Sequence, residues 1–400
     1  IMDVFEKLSA LRLDAAFEDA EVTVLSDEMP AGQSPLMRCS MSGVGSEDHP
    51  CDPVYPIYMA TLPGGKRIPM LKTLLTSACE RNCYYCFARA GRDTPRQTFH
   101  PEELAHAFFR MYQKGAVQGI LLSSGIAGGS VRTQDRLLAT AEILRSKLEY
   151  RGYLHLKLMP GVERAQVERA MQLADRVSIN LEAPTTHCLS RLAPMKQFVE
   201  ELMRPLEWVE EIRRNQPAWY GWRNRWPSST TQFVVGAAGE SDLDLLHTSE
   251  YLHRRLKLSR VYFSGFTPVS GTPLENYPPL EPLRRIRLYQ ADFLLRDYGF
   301  SFSDFSFLPD GNLPLGNDPK LLWALNHLSE SPLEVNRATF AELIRVPGIG
   351  LKSANAIVVA RRSGRLRYLE DLKALGVQTK RAAPFILVDG KQPVFQLRFW

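Results

Sequence analysis

The chain has 400 residues, a net charge of +5 and 44% apolar residues, enough for two or three domains with a substantial core. No run approaches the roughly 18 apolar residues of a membrane span, and no basic segment leads into an apolar one at the N-terminus, which argues against secretion. Six cysteines are too few for a disulfide scaffold at this size, so a reducing cytoplasm is the expected setting.

Residues 1–60 read as an N-terminal extension packing on a barrel domain, with helical periodicity over Phe5 to Ala16 and irregular sequence from Pro30 to Pro56. Cys39 and Cys51 fall here. Such a lone, widely spaced pair has little specificity for a second metal centre, and burial or local folding explains it. From 61 to 309 short apolar runs alternate with longer helical stretches, the signature of βα units. The strand candidates are Met70–Thr76, Gln118–Ser123, Leu154–Met159, Arg176–Glu182, Thr231–Val235 and Arg260–Phe266. Helical periodicity over Pro101–Lys114, Gln134–Leu148 and Glu163–Leu173 supplies the crossovers that parallel strands require. Six such units predict an α/β fold built on a partial, open parallel (β/α)6 barrel.

The first strand candidate runs into CERNCYYC, which places Cys79, Cys83 and Cys86 at a strand's C-terminal end, the active face of a β/α barrel. Three thiolates at C-x3-C-x2-C spacing can hold three irons of a 4Fe-4S cube and leave the fourth open to an exchangeable ligand. Two plainer readings remain: a three-thiolate zinc site completed by another residue, or reduced core thiols. Zinc more often takes paired C-x2-C units or a histidine, and no cysteine follows until Cys188.

Later strand ends are also chemically loaded. SSGIAGG, with Ser123, Ser124 and Gly125, follows the second strand, and small residues there let a loop approach a ligand. Asn180 and Glu182 alternate at the end of the fourth. GAAGE, with Gly236 and Gly239, follows the fifth, and FSGFTPVSGTP the sixth. Glycine-rich strand ends often only make turns, so the set weighs more than any member. WYGWRNRW, Trp219 to Trp226, combines aromatics with arginines: Trp222 and Arg223 can stack on a base or grip a phosphate, or the segment can cap the barrel.

Residues 310–335 form a Gly/Pro/Asn/Asp-rich linker and docking segment, and 336–400 a small, basic, all-α domain. Between Asn336 and Lys391 there are eleven Lys/Arg against four Asp/Glu, a surplus of seven that leaves the rest near −2. That asymmetry points to a polyanionic partner for this module. Asn336 is a candidate helix cap. VPGIG then precedes the helical LKSANAIVVARR, so Gly348 and Gly350 form a tight turn with backbone amides at a helix start, where a phosphate binds without base readout. Lys352, Arg361 and Arg362 extend the positive surface. A looser copy, YLEDLKALGVQTKRAAPFIL, carries Gly376, Lys380 and Arg381. Protein docking is the competing use of such a module.

The cysteine spacing, with Tyr85 before the last cysteine, resembles the cluster loop of radical SAM enzymes. The whole order of features looks like the DNA modification/repair radical SAM protein family, whose members carry C-terminal helix-hairpin-helix elements. The likeness covers most of the chain and rests on CERNCYYCFARAGRDTPRQTF, LLSSG, YLHLKLMPG, INLEAPT, TTQFVVGA and VPGIGLKSANAI. It implies that Cys79, Cys83 and Cys86 ligate the cluster, and that Ser123–Gly125, Asn180, Glu182 and the Gly236 loop bind S-adenosylmethionine. It also implies an external one-electron reductant, duplex DNA as partner, and a 5′-deoxyadenosyl radical that abstracts hydrogen from an unreactive carbon. One departure stands out: SSG occupies the place where many radical SAM enzymes carry Gly-Gly-Glu, so amino-group recognition must use other contacts. RNA or a small nucleotide as substrate, or a nonenzymatic iron–sulfur DNA-binding or redox-sensing role, are the alternatives. In the RNA or small-nucleotide alternative the hairpins would serve dimerisation, and the sequence does not fix the oligomeric state.

Overall fold

The computed structural model describes residues 3–11, 55–61 and 67–393. Cys39, Cys51 and most of the Pro30–Pro56 segment lie outside them. The described residues divide into two compact units, 1–240 with 252–280, and 241–251 with 281–400.

The first unit is built on one seven-stranded sheet in sequential order, curled into a half-barrel. Its strands are β1 (Ile57–Thr61), β2 (Arg67–Leu74), β3 (Gly119–Ser123), β4 (Tyr153–Lys157), β5 (Arg176–Ser178), β6 (Ser228–Val235) and β7 (Arg260–Gly265). β2 through β7 are parallel, as the six predicted βα units require, and β1 is an added antiparallel edge on β2. The helix Pro101–Gln113 connects β2 to β3. Proline at its first turn and Glu103 returning to the His100 N–H at 3.2 Å fix its start. The next crossover begins at Ser130, earlier than the predicted Gln134. It runs to Glu142 and continues as a π-helical turn, Ile143–Lys147. Arg164–Leu173 joins β4 to β5. Val4–Ala10 is fastened by Lys7 to Glu103 at 2.7 Å and by Arg110 over the Phe5 ring, and the rest of the Phe5 to Ala16 periodicity, from residue 12 on, lies outside the described residues.

Side-chain alternation gives the sheet two unlike faces. Leu122, Leu156, Val177, Ile179, Phe233 and Phe263 share the parity that buries apolar residues. The opposite parity begins at the strand N-termini with an apolar plug, Tyr58, Ile68, Met70 and Leu121. Level with Leu121 and above it come buried polar residues: Lys72, Ser123, His155, Lys157, Ser178, Thr230 and Gln232.

The second unit has its own core, including Ala324, Leu343, Val346, Ile349, Ile357, Leu372 and Phe385. Its helices are Pro282–Asp297, Pro319–His327, Phe340–Leu343, Leu351–Ser363, Leu369–Ala374 and Thr379–Ala382, with a two-residue parallel pairing of Leu333–Glu334 on Ile386–Leu387. The sequence boundary at 309 therefore lies inside this unit, and the 310–335 segment supplies a helix and core residues. Asn336 is not a helix cap. Thr339 caps Phe340–Leu343 through the Glu342 N–H at 3.2 Å, while Asn336 bonds the Leu366 backbone in both directions at 2.9 Å. The cap falls at Thr339 because Glu342 stands three residues on and answers the Thr339 N–H at 2.7 Å, closing a capping box. No described helix is long and apolar enough to cross a membrane.

Candidate active site

The cysteine loop leaves β2 and is held on several sides. Its backbone pairs with the loop after β3: Gly125 N–H donates to Thr76 O at 2.7 Å and Glu80 N–H to Ile126 O at 2.8 Å. A Cβ on Gly125 would stand 2.4 Å from Ala78 O, so glycine is required for the cysteine backbone to lie this close. Glu80 reaches the Gly128 and Gly129 N–H groups at 3.2 and 3.3 Å. Arg96 donates to Ser77, Ala88 and Arg89 carbonyls, and Arg81 to Met195 O and Glu201, both at 2.7 Å. A loop pinned by this many charge-assisted bonds presents its side chains in one arrangement.

The thiols are neighbours in charge. Burial pushes Cys86 up, and Cys83 adds to the shift. Burial also raises Cys83, against the pull of Lys196. Cys79 Sγ accepts from the Ile126 N–H at 3.5 Å. Among the described residues no three His, Cys, Asp or Glu side chains are gathered as a ready-made metal site. Cys188 is a buried thiol whose N–H bonds the Thr185 hydroxyl that caps Thr186–Leu192.

Glu182 is the group that best fits a bound cofactor. It is buried, with a left-handed φ of +65°. A non-glycine residue there costs about 1–3 kcal/mol, and β6 enforces it: Glu182 N–H donates to Gln232 O at 3.0 Å and Val234 N–H to Glu182 O at 2.7 Å. Oε1 accepts from Lys196 Nζ at 2.8 Å. Oε2 is buried with no donor in full hydrogen-bonding geometry, but the Tyr85 phenol stands beside the carboxylate: burial first, then the charge of Glu182 and a hydrogen bond to it, raise the phenol's pKa. Burial works against the charge on Lys196, but Cys83 and Glu182 outweigh it and hold the ammonium protonated above the ordinary lysine value. Ser124 Oγ and Asn82 Oδ1 are likewise buried without partners. Asn180 Oδ1 accepts from Lys157 Nζ at 2.5 Å.

The remaining sequence candidates sit in more settled surroundings. The Gly236 and Ala238 N–H groups turn inward onto Glu240, at 2.5 and 3.0 Å, and Gly239 has Arg191 against it, so this loop's amides already hold an anion of their own. Trp222 and Arg223 lie at the strand N-termini, the opposite rim from the cysteines. There Arg145 stacks on Trp222 at 4.0 Å and Arg223 donates to Arg151 O. Both are built into a cap, leaving Trp219 and Tyr220 exposed. In the second unit, Gly348 packs on the second turn, where a Cβ would meet Gln378 O at 2.5 Å, and Gly350 precedes Leu351–Ser363. Lys352, Arg362 and Lys380 are exposed. Arg361 is engaged by Val335 and Ala338 carbonyls, and Arg381 by Asp318 at 2.5 Å.

No protein-family model matches the chain, and no curated protein does. Among solved structures it is similar in part to methylornithine synthase (PylB), at 14% identity over 57% of this chain and 61% of that one, TM-score 0.45. It is similar to the FeFe-hydrogenase maturase HydG from Carboxydothermus hydrogenoformans at 15% identity over 57% and 51%, TM-score 0.44. The cobalamin-dependent S-adenosylmethionine radical enzyme OxsB matches at 12% identity over 74% and 45%, TM-score 0.33. Each match takes in less than two thirds of the other chain.

Proposed function

We propose that this chain is a radical SAM enzyme acting on a nucleotide in DNA. The observation that carries the reading is local: three thiols on one braced loop at the strand C-termini, beside a buried Glu182 carboxylate that Lys196 and Tyr85 flank. Cys79, Cys83 and Cys86 are the residues that would hold a cluster, and Glu182, with Tyr85 beside it, would meet the ammonium of an amino-acid cofactor. Glu182 thus offers the contact that SSG, in place of Gly-Gly-Glu, does not. When bound, a 4Fe-4S cluster with S-adenosylmethionine supplies one-electron cleavage and a hydrogen-abstracting radical, driven by an external reductant.

The chain's own residues have separate tasks. Lys196 balances the charge of Glu182 and the thiols and orients the buried carboxylate through their 2.8 Å contact. Ser124 and Asn180 offer polar contacts at the ends of β3 and β5. Exposed Lys352, Arg362 and Lys380 in the second unit suit a duplex backbone, which fixes position without reading sequence. A target base would leave the stack to reach the half-barrel.

The test is anaerobic turnover of reconstituted protein with S-adenosylmethionine, dithionite and defined duplex DNA, quantifying 5′-deoxyadenosine and the mass of each strand. Wild type should form 5′-deoxyadenosine, stimulated by duplex. Cys79→Ala, Cys83→Ala and Cys86→Ala should each abolish it while DNA binding persists. Product from any of these variants would refute the cluster assignment, and stimulation by free nucleotide or RNA instead of duplex would refute the substrate.

A further inference from the structure

We infer that the outer surface of the cap over the strand N-termini binds a single-stranded nucleic acid, with Trp219 and Tyr220 stacking on unpaired bases and Arg214 and Arg225 meeting the phosphates. This surface lies in the first unit, on the rim away from the cysteine loop. It goes beyond the radical-enzyme reading and does not rest on it.

The cap is the loop between the helix Arg204–Asn215 and β6. Its ends are tied, because Trp226 Nε1 donates to Gln216 O at 3.1 Å and Arg213 to Pro227 O at 2.7 Å. A Cβ on Gly221 would collide with Arg225 O, so the chain can double back tightly only with glycine there. Arg223 and Asn224 then take left-handed φ values of +57° and +58°, a conformation that non-glycine residues seldom adopt. Beneath them the Trp222 ring has the Arg145 and Arg151 guanidiniums over it, at 4.0 and 5.5 Å. The fold thus holds the loop in one shape.

The buried part of the cap closes on itself; its outer surface does not. Trp219 is 67% exposed and Tyr220 56%, with ring centroids 6.2 Å apart and planes inclined at 46°. Tryptophan is highly buried on average, so this pair calls for a partner. The other exposed side chains between Arg213 and Trp226 are Arg214, Asn215, Ala218, Arg223, Asn224 and Arg225. None is aliphatic beyond alanine, so the rings lack the apolar surround of a protein interface core. They have cations instead. The stretch 213–226 contains four arginines and no acid. Two carboxylates approach it from below: buried Asp175, shared by Arg145 and Arg225, and Glu210, which meets Arg213 and Arg214 at 3.6 and 3.7 Å. Even so, the Arg214 and Arg225 side chains stay 69% and 64% exposed. Glu149 is an exposed acid on the turn before Arg151. Exposed rings interleaved with guanidiniums suit a strand whose base faces are open and whose phosphates run alongside; in a duplex those faces are already stacked.

Fluorescence anisotropy of the full-length protein would use labelled oligothymidylate and oligouridylate of about 15 nucleotides, with a duplex of equal length alongside. Wild type should bind at least one of the single strands, and the tighter of the two identifies the sugar. Trp219→Ala combined with Tyr220→Ala should weaken that strand about 10-fold or more. Duplex affinity and melting temperature should stay as in wild type, because both rings are exposed. Arg214→Gln combined with Arg225→Gln should flatten the slope of log affinity against log salt by about 0.7 for each arginine. No single-strand binding by wild type, unchanged affinity in the ring variant, or equal losses for strand and duplex would overturn the surface. So would a wild-type dimer that the ring variant turns into a monomer in sedimentation, since the rings would then belong to a contact between copies of this chain. None of these readouts requires the cluster, so failure of the radical-enzyme reading leaves the surface standing.

Discussion

The two rims of the half-barrel each bury charge, and they finish the task differently. At the strand N-termini, Arg145 and Asp175 are both 2% exposed and 3.0 Å apart. Arg145 also donates to Leu173, Tyr150 and Gly152 carbonyls, and the Asp175 carboxylate accepts from the Leu154 N–H and Arg225. Within that cap Trp222 Nε1 is left unpaired. At the C-termini, Glu182, Ser124 and Asn82 each leave a buried atom without a partner, and so do Thr230 and Gln232 within β6. A network closed on itself stabilises a fold. One left incomplete in a buried place costs about 1–3 kcal/mol for each orphaned group, and such a cost marks where a ligand belongs.

The largest effect should come from opening the closed rim. Asp175→Asn leaves Arg145 buried without a counter-charge, so the unfolding free energy should fall by about 3–5 kcal/mol, read by urea denaturation, with cofactor affinity unchanged in the folded protein. A loss below about 1 kcal/mol would show that the cap is not a stability element.

Glu182→Gln should behave oppositely. It keeps an acceptor for Lys196 but removes the charge, so S-adenosylmethionine affinity should drop about 10- to 100-fold while iron content is retained. If binding is unaffected and only stability changes, the incomplete rim has been misassigned.

Lys320, in the second unit, gives the smallest effect and isolates burial from ligand binding. Burial lowers its pKa to about 7, Arg381 adding to the shift and Asp318 opposing it, although Nζ donates to Ile349 O at 2.7 Å. An unfolded lysine titrates near 10.4, so between about pH 7 and 10 the unfolded chain holds a proton that the folded one lacks. Stability should therefore rise with pH across that window. Lys320→Met should remove the slope, with its gain greatest below about pH 7 and vanishing near pH 10. A slope that survives the substitution would assign it to other groups.

The six parallel strands were readable because strands covered by helices are continuous apolar runs bounded by turn residues. The position of the cysteine loop after a strand was readable from the apolar run that precedes it. The edge strand Ile57–Thr61 was missed, since it follows a Pro/Gly-rich stretch and is too short to alternate clearly. Lys72, His155, Lys157 and Gln232 were visible as polar residues at period two, but an apolar run draws attention to its other parity. Lys196, Arg81 and Arg96 had no local signal: their meaning comes from partners brought together by loops. The π-helical turn at Ile143–Lys147 has no sequence signature either.

Metal and acid-labile sulfide content after anaerobic reconstitution, followed by electron paramagnetic resonance of the reduced protein with and without S-adenosylmethionine, probes the incomplete rim most directly. The account predicts close to four irons and four sulfides per chain, with a spectrum that changes when S-adenosylmethionine is added. A protein that takes up no iron, or a cluster whose spectrum ignores S-adenosylmethionine, would contradict it.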